Sequence, residues 1–176
     1  MFEAFERNLS IVPRWSIVPT INKQNVAEHS FYVALYTDKI CRLSGSTDLD
    51  RLNAVSYALR HDMGEVLTGD IPGPAKRRMT TQEQRDTEEN FFHLTAPSDY
   101  VPAPSEWAEQ VVKLADRIDE LMFMRRELAM GNTMVTTLHV QLIDTVERLA
   151  RPLLGSANTA KLMIDIRDSA RLDLPA

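Results

Sequence analysis

The stretch "RHDMGEVLTGD", Arg60–Asp70, decides how the rest of the chain is read. It follows an apolar approach made by Ala54, Val55, Tyr57, Ala58 and Leu59. It then sets a His beside an Asp, places Glu65 three residues on, and ends at Asp70. Two readings compete for it. A solvated turn at a helix end accounts for polar residues in that place, whereas a metal site also accounts for their order.

Working outward, "NVAEHSFYVALYTDKICRLSG" predicts a helix from near Asn25 that stops at Gly45. Its Val26, His29, Val33, Tyr36 and Ile40 fall on one broad face. Asp48 resembles an N-cap for a helix over roughly Leu49 to His61. "GEVLTGDIPGPAK" then reads as a structured loop with a short helical turn at its start. Ahead of all this, a short helix is expected over about Phe2 to Leu9. An irregular stretch bracketed by Pro13 and Pro19 follows, and it carries Arg14 and Trp15.

Downstream, "TTQEQRDTEENFFHLTA" reads as a helix with a polar outer face, and "PSDYVPAPS" as a connector. Three more helical patterns follow: Glu106 to Gly131-Asn132, Thr133 to Gly155, and Thr159 to Leu172. The expected fold is all-α, a bundle of six to seven helices around one core. A single domain is expected to span residues 1–176.

Composition bounds the function. The chain is 44% hydrophobic and 26% charged, ordinary values for a soluble globular protein. A net charge of −5 argues against a nucleic-acid partner that needs a basic footprint. The single Cys41 lies in an apolar helical pattern, which suits an inert buried thiol in a reducing compartment. The first residues carry acids and no long apolar run, so no signal peptide is read there. No stretch of 18 apolar residues predicts a membrane span. The expected location is the cytoplasm.

Four residues can meet in such a bundle: His29, His61, Asp62 and Asp116. Each lies in or beside an apolar helical face, and Asp116 follows Val112 by four residues. A buried carboxylate without a partner costs several kcal/mol. Two histidines and two carboxylates around a divalent cation relieve that cost. Nitrogen and oxygen donors without thiolate suit a catalytic site more than a structural zinc site. Taken singly, His29 also reads as a hydrogen-bonded core residue and "HD" as a helix cap. An upstream "EH", the "HD" with Glu65 and "TGD", and a downstream "LAD" together carry more.

In order and spacing, Arg14-Trp15, "NVAEHS" at Asn25–Ser30, "RHDMGEVLTGDIPGPAK" at Arg60–Lys76 and "KLAD" at Lys113–Asp116 are similar to the YfbR-like branch of HD-domain phosphohydrolases. That branch includes bacterial 5′-deoxynucleotidases and phage dATP triphosphohydrolases. The resemblance implies that His29, His61, Asp62 and Asp116 are the metal ligands. It implies that Glu65 and Asp70 are the catalytic acidic pair. Arg14 and Trp15 match the substrate-binding pair, the Trp packing on the sugar where a 2′-hydroxyl would collide. Lys76 matches the loop lysine facing the phosphate. The cofactor implied is a divalent metal (Co, Mn, Zn, Fe or Mg), with room for more than one per site. For Trp15, a core anchor remains the competing reading.

The number of phosphates and the base are less legible. "PAKRRM" supplies Lys76, Arg77 and Arg78, and Lys113 lies one turn before Asp116, enough for a polyphosphate. Arg77 and Arg78 taken alone read as solvated charges. Ile17 offers an apolar lid over a purine, which penalises a base with an extra amino group. The compact chain, Ile17 and the basic run resemble the phage enzymes, so the expected reaction is dATP to deoxyadenosine plus triphosphate. A 5′-deoxynucleotidase acting on monophosphates is the alternative, and a non-catalytic nucleotide sensor is a second. A homo-oligomer, dimer or hexamer, is expected, with Met122, Met124, Leu128 and Met130 as apolar surface for pairing subunits.

Overall fold

Asn25 starts the first long helix through a capping box. Its side chain accepts from the Glu28 amide while the Glu28 carboxylate accepts from the Asn25 amide. This helix, α1, runs Val26–Ser44 and stops at Gly45, whose φ of 70° is the left-handed conformation that glycine adopts without penalty. Helix α2 follows at Asp48–Ala58. Its N-cap is Thr47, one residue before the Asp48 expected: the Thr47 hydroxyl takes the Asp50 amide at 3.1 Å, leaving Asp48 to pair with Arg51. A computed structural model describes residues 6–76, 78–79 and 104–169. The helix expected over residues 80–96, most of the connector after it, Phe2, Arg77 and the last residues lie outside that set.

α2 ends at Ala58, not at His61 as its apolar pattern predicts. Side chains cap it early. Arg60 Nε donates to Ser56 O at 3.1 Å, and His61 Nδ1 lies 2.7 Å from Ala58 O. Carbonyls that a further helical turn would have used are thereby satisfied. The chain turns through His61 and Asp62 into two short helical turns, α3 at Glu65–Thr68 and α4 at Gly73–Lys76.

α5 runs Glu106–Ala129 with Ser105 as N-cap, its hydroxyl accepting from the Ala108 amide. It is the central element, packed on α1, α2 and α6. α6 runs Thr136–Asp168 and is broken at Gly155 (φ 70°, ψ 169°), where the sequence predicts the boundary between two helices. A 3₁₀ helix at Glu6–Ile11 packs on α1, and Pro13 and Asn25 form a single antiparallel bridge. The principal apolar cluster joins Val33 and Ile40 of α1, Ala54 and Ala58 of α2, Leu114, Ile118, Leu121 and Met124 of α5, and Val146 and Ala150 of α6. The all-α expectation holds, and Cys41 is buried as its helical face predicts.

The apolar surface expected on α5 needs correction. Met124 is fully buried, and Met122 and Leu128 pack half-buried against the same cluster. Only Met130 is exposed, at 41%. The reason is central placement: a helix with neighbours on several sides buries more than one stripe. Among the described residues, no helix is long and apolar enough to cross a membrane.

Candidate active site

The early end of α2 matters because it aims His61 and Asp62 at α1 and α5. His29 comes from α1 and is wholly buried; Asp116 comes from α5. His29 Nε2 lies 3.4 Å from Asp62 Oδ2 and 3.3 Å from Asp116 Oδ1, and His61 Nε2 lies 3.3 Å from Asp62 Oδ2. Ligand atoms of His29, His61 and Asp116 all fall within 4.8 Å of one another. All four residues of the expected set therefore meet.

The far side of each imidazole shows what the near side can do. His61 Nδ1 faces the Ala58 carbonyl, which can only accept, so Nδ1 carries the hydrogen and Nε2 keeps a lone pair. His29 Nδ1 lies 2.6 Å from Asp119 Oδ2, with the same consequence. Both Nε2 atoms are buried and lack a hydrogen-bond partner. Two imidazole lone pairs aimed at two carboxylates fit a divalent cation, and the outer hydrogen bonds are those that orient metal-binding histidines. The same carboxylates also favour a proton on His29. Burial pulls the His29 imidazolium down, but Asp116, Asp119 and Asp62 outweigh it and hold its pKa well above the usual value. Burial pushes the Asp62 and Asp116 carboxyls up, yet His61 and His29 hold Asp62, and His29 and Arg117 hold Asp116, below the usual range.

Glu65 opens α3 with one carboxyl oxygen, Oε2, buried and unbonded. Burial, together with the charges of Asp62 and Asp70, pushes its carboxyl up to about 8, against the pull of Arg14 and Lys76. Asp70 Oδ2 accepts the backbone N–H of Trp15 at 3.3 Å. Trp15 has φ 64°, rare for a bulky residue. Such backbone persists only where surroundings over-determine it. Here the amide bonds Asp70, the indole stacks on Phe123 (5.4 Å between centroids, 8° between planes), and Nε1–H donates to Gln24. Arg14 lies 3.4 Å from Asp62 and 3.8 Å from Glu120, with its guanidinium 5.6 Å from the Trp15 ring centroid.

A cleft of about 550 Å³ opens over this floor, and Arg14, Trp15, Ile17, Asp70, Arg117 and Arg148 are among its walls. Neither of the two expected lysines is among its walls. Lys76, at the end of α4, and Lys113, on α5, are exposed and do not line the cleft. Sequence reasoning missed Gln24, Arg117, Asp119 and Glu120. Arg117 bridges Asp116 and Glu120. Burial and the Asp116 charge push the Glu120 carboxyl up to about 7, against Arg117 and Arg14. The available signal was spacing: Asp119 and Glu120 follow Asp116 by three and four residues, hence share its face.

Known proteins share this fold and sequence pattern. The 5′-deoxynucleotidase YfbR-like family profile matches residues 1–155. A 5′-deoxynucleotidase YfbR of Escherichia coli O1:K1 is 29% identical over 163 residues, covering 83% of this chain and 82% of the relative. One from Salmonella arizonae is 30% identical over 148 residues, 74% of each chain. Among solved structures, a cyanophage S-2L HD phosphohydrolase (DatZ), bound to dA and one catalytic Zn²⁺ ion, superposes with a TM-score of 0.73 at 22% identity. The match covers 98% of both chains. A conserved hypothetical protein from Pyrococcus furiosus gives 0.72, also at 22% identity, over 93% of this chain and 96% of that one. The chain folds as an HD-domain bundle and belongs to the YfbR-like 5′-deoxynucleotidase family, hydrolases that act on the phosphoester bonds of deoxynucleotides.

Proposed function

We propose that the protein cleaves the ester bond between the α-phosphorus and O5′ of a deoxynucleotide, with dATP as preferred substrate and deoxyadenosine plus triphosphate as products. The observation that carries the hydrolytic reading is the convergence of His29, His61, Asp62 and Asp116 under a wall made by Arg14 and Trp15. A divalent cation held by those four would polarise the phosphoryl oxygens and lower the pKa of water. The oxygen of water bonds to phosphorus, the O5′ bond breaks, and one proton must reach O5′. Glu65 and Asp70 flank the floor and divide the proton transfers between them. Trp15 packs on the deoxyribose, and Arg14 neutralises phosphate charge between Asp62 and Glu120.

The preference for dATP has separate support. Guanidinium groups of Arg14, Arg117 and Arg148 line a cleft long enough to run from Asp70 to α6, which suits a chain of phosphates. Ile17, 62% exposed at the cleft, is the apolar lid for the purine. The full-length likeness to the cyanophage protein with bound dA points the same way. The monophosphate reading keeps its own support in relatives of 29–30% identity named as 5′-deoxynucleotidases. Both readings break the same bond, so the released phosphate separates them. Intact triphosphate from dATP supports the proposal, and orthophosphate from dAMP with dATP untouched overturns it.

A further inference from the structure

One carboxamide joins the two halves of the site. Gln24 is 6% exposed and stands just before α1. Its carbonyl accepts the Arg14 amide at 2.9 Å, fixing it beside the Arg14-Trp15 segment. Its side-chain Oε1 accepts the Trp15 indole N–H at 2.9 Å, and its Nε2 donates to Asp119 Oδ2 at 2.9 Å. The same Oδ2 lies 2.6 Å from His29 Nδ1. Chemistry fixes the direction throughout. An indole N–H only donates and a carboxylate only accepts, so the amide has one satisfied orientation. Gln24, Asp119 and His29 are too buried for water to replace a missing member.

We propose that Gln24 is a positioning residue for both functions of the site. With its oxygen it holds the Trp15 wall, and with its nitrogen, through Asp119, it holds the His29 ring toward the cation. The Trp15 half rests on the reading of Trp15 as the sugar wall; the His29 half does not. A Gln and an Asp kept for packing alone would be an expensive choice, since apolar side chains fill such space without needing partners. The Trp15 whose indole this amide holds has φ 64°.

Two substitutions test the inference. Gln24→Met removes both bonds, and Gln24→Glu keeps an acceptor for the indole but loses the donor to Asp119 once ionised. Zn²⁺ affinity is measured by competition with a chromophoric chelator, and sugar choice by calorimetric binding of deoxyadenosine against adenosine. Gln24→Met should weaken Zn²⁺ about tenfold, the scale of an outer hydrogen bond to a ligand, and narrow the deoxy preference. Gln24→Glu should keep the deoxy preference. Burial beside the Asp119 carboxylate raises the introduced carboxyl above the ordinary value of about 4.3, so its Zn²⁺ deficit relative to wild type grows as pH rises from about 6 to about 9. A protonated Glu still donates to Asp119, so packing alone predicts no such trend. Wild-type Zn²⁺ affinity in Gln24→Met, or a pH-independent deficit in Gln24→Glu, overturns the proposal. If Gln24→Met does not fold, Gln24→Glu decides alone. A wild type without deoxy preference refutes the sugar-wall reading, while the Zn²⁺ measurements still decide the link to His29.

Discussion

Replacing Glu127 by Gln should destabilise the protein sharply, although the residue is not part of the His29, His61, Asp62 and Asp116 cluster. Glu127 is fully buried near the end of α5. Its Oε2 accepts from the Ile21 amide at 2.6 Å and from Asn132 Nδ2 at 2.7 Å; its Oε1 accepts from the Asn22 amide at 2.8 Å. These bonds tie down the segment that follows Arg14, Trp15 and Ile17. A Gln keeps one oxygen, for two of the donors, and turns its amide against the Asn22 N–H. Two bonds lose about 1 kcal/mol each as charge assistance goes, and the third loses about 2 kcal/mol. The sum is about 4 kcal/mol, a fall in Tm of roughly 8–16 °C for a chain of this size. The pH dependence adds a sign. Burial pushes the Glu127 carboxyl up, but Asn132, Ile21 and Asn22 donate to its charged form and hold it below the usual range. A folded-state pKa below the unfolded one gives stability that is complete above about 4.3 and lost as pH falls through the folded value. The gap between wild type and Glu127→Gln should therefore be constant near neutrality and close in acid. Calorimetric Tm values of both proteins across pH measure it. A neutral-pH difference under about 2 °C, or a gap that persists unchanged in acid, refutes the reasoning.

Other expectations concern the site. Asp62→Ala should abolish metal content and turnover while circular dichroism stays near wild type; metal at wild-type stoichiometry would remove Asp62 from the ligand set. Glu65→Ala should cut kcat by roughly two to four orders of magnitude with substrate affinity largely kept, and near-normal turnover would exclude it from the proton transfers. Ile17→Ala should let 2-amino-dATP compete better against dATP, since shape alone excludes the extra amino group. An unchanged ratio of kcat/KM values would show that Ile17 does not cover the base.

The cluster of two histidines and two aspartates was legible because its residues break a pattern. His29, His61, Asp62 and Asp116 interrupt apolar faces, and a polar group inside needs a reason. Among the described residues, most helices were legible from periodicity and caps, including the break at Gly155, while the cap and end of α2 were displaced to Thr47 and Ala58. The supporting groups were not. Asp119, Glu120 and Glu127 lie in a charged helical run that reads as a solvated face, and only the packing of α1, α2 and α6 around α5 shows them buried or half-buried. The same crowding turned Met124 from expected surface into core. Gln24 gave no signal, because its role comes from partners 9 and 95 residues away in sequence. Lys113 was placed near the phosphates by its spacing from Asp116, but α5 leaves it exposed and presents Arg117 to the cleft instead.

The most direct test is product analysis of metal-loaded wild-type protein given dATP and dAMP in parallel, with ATP as the ribose control. Phosphate-containing products are resolved by anion exchange, and nucleosides by reversed phase. The account predicts deoxyadenosine and intact triphosphate from dATP in equal amounts, with little turnover of ATP. Orthophosphate from dAMP while dATP survives would contradict the triphosphate reading, and failure to release deoxyadenosine from either would contradict cleavage at O5′ itself.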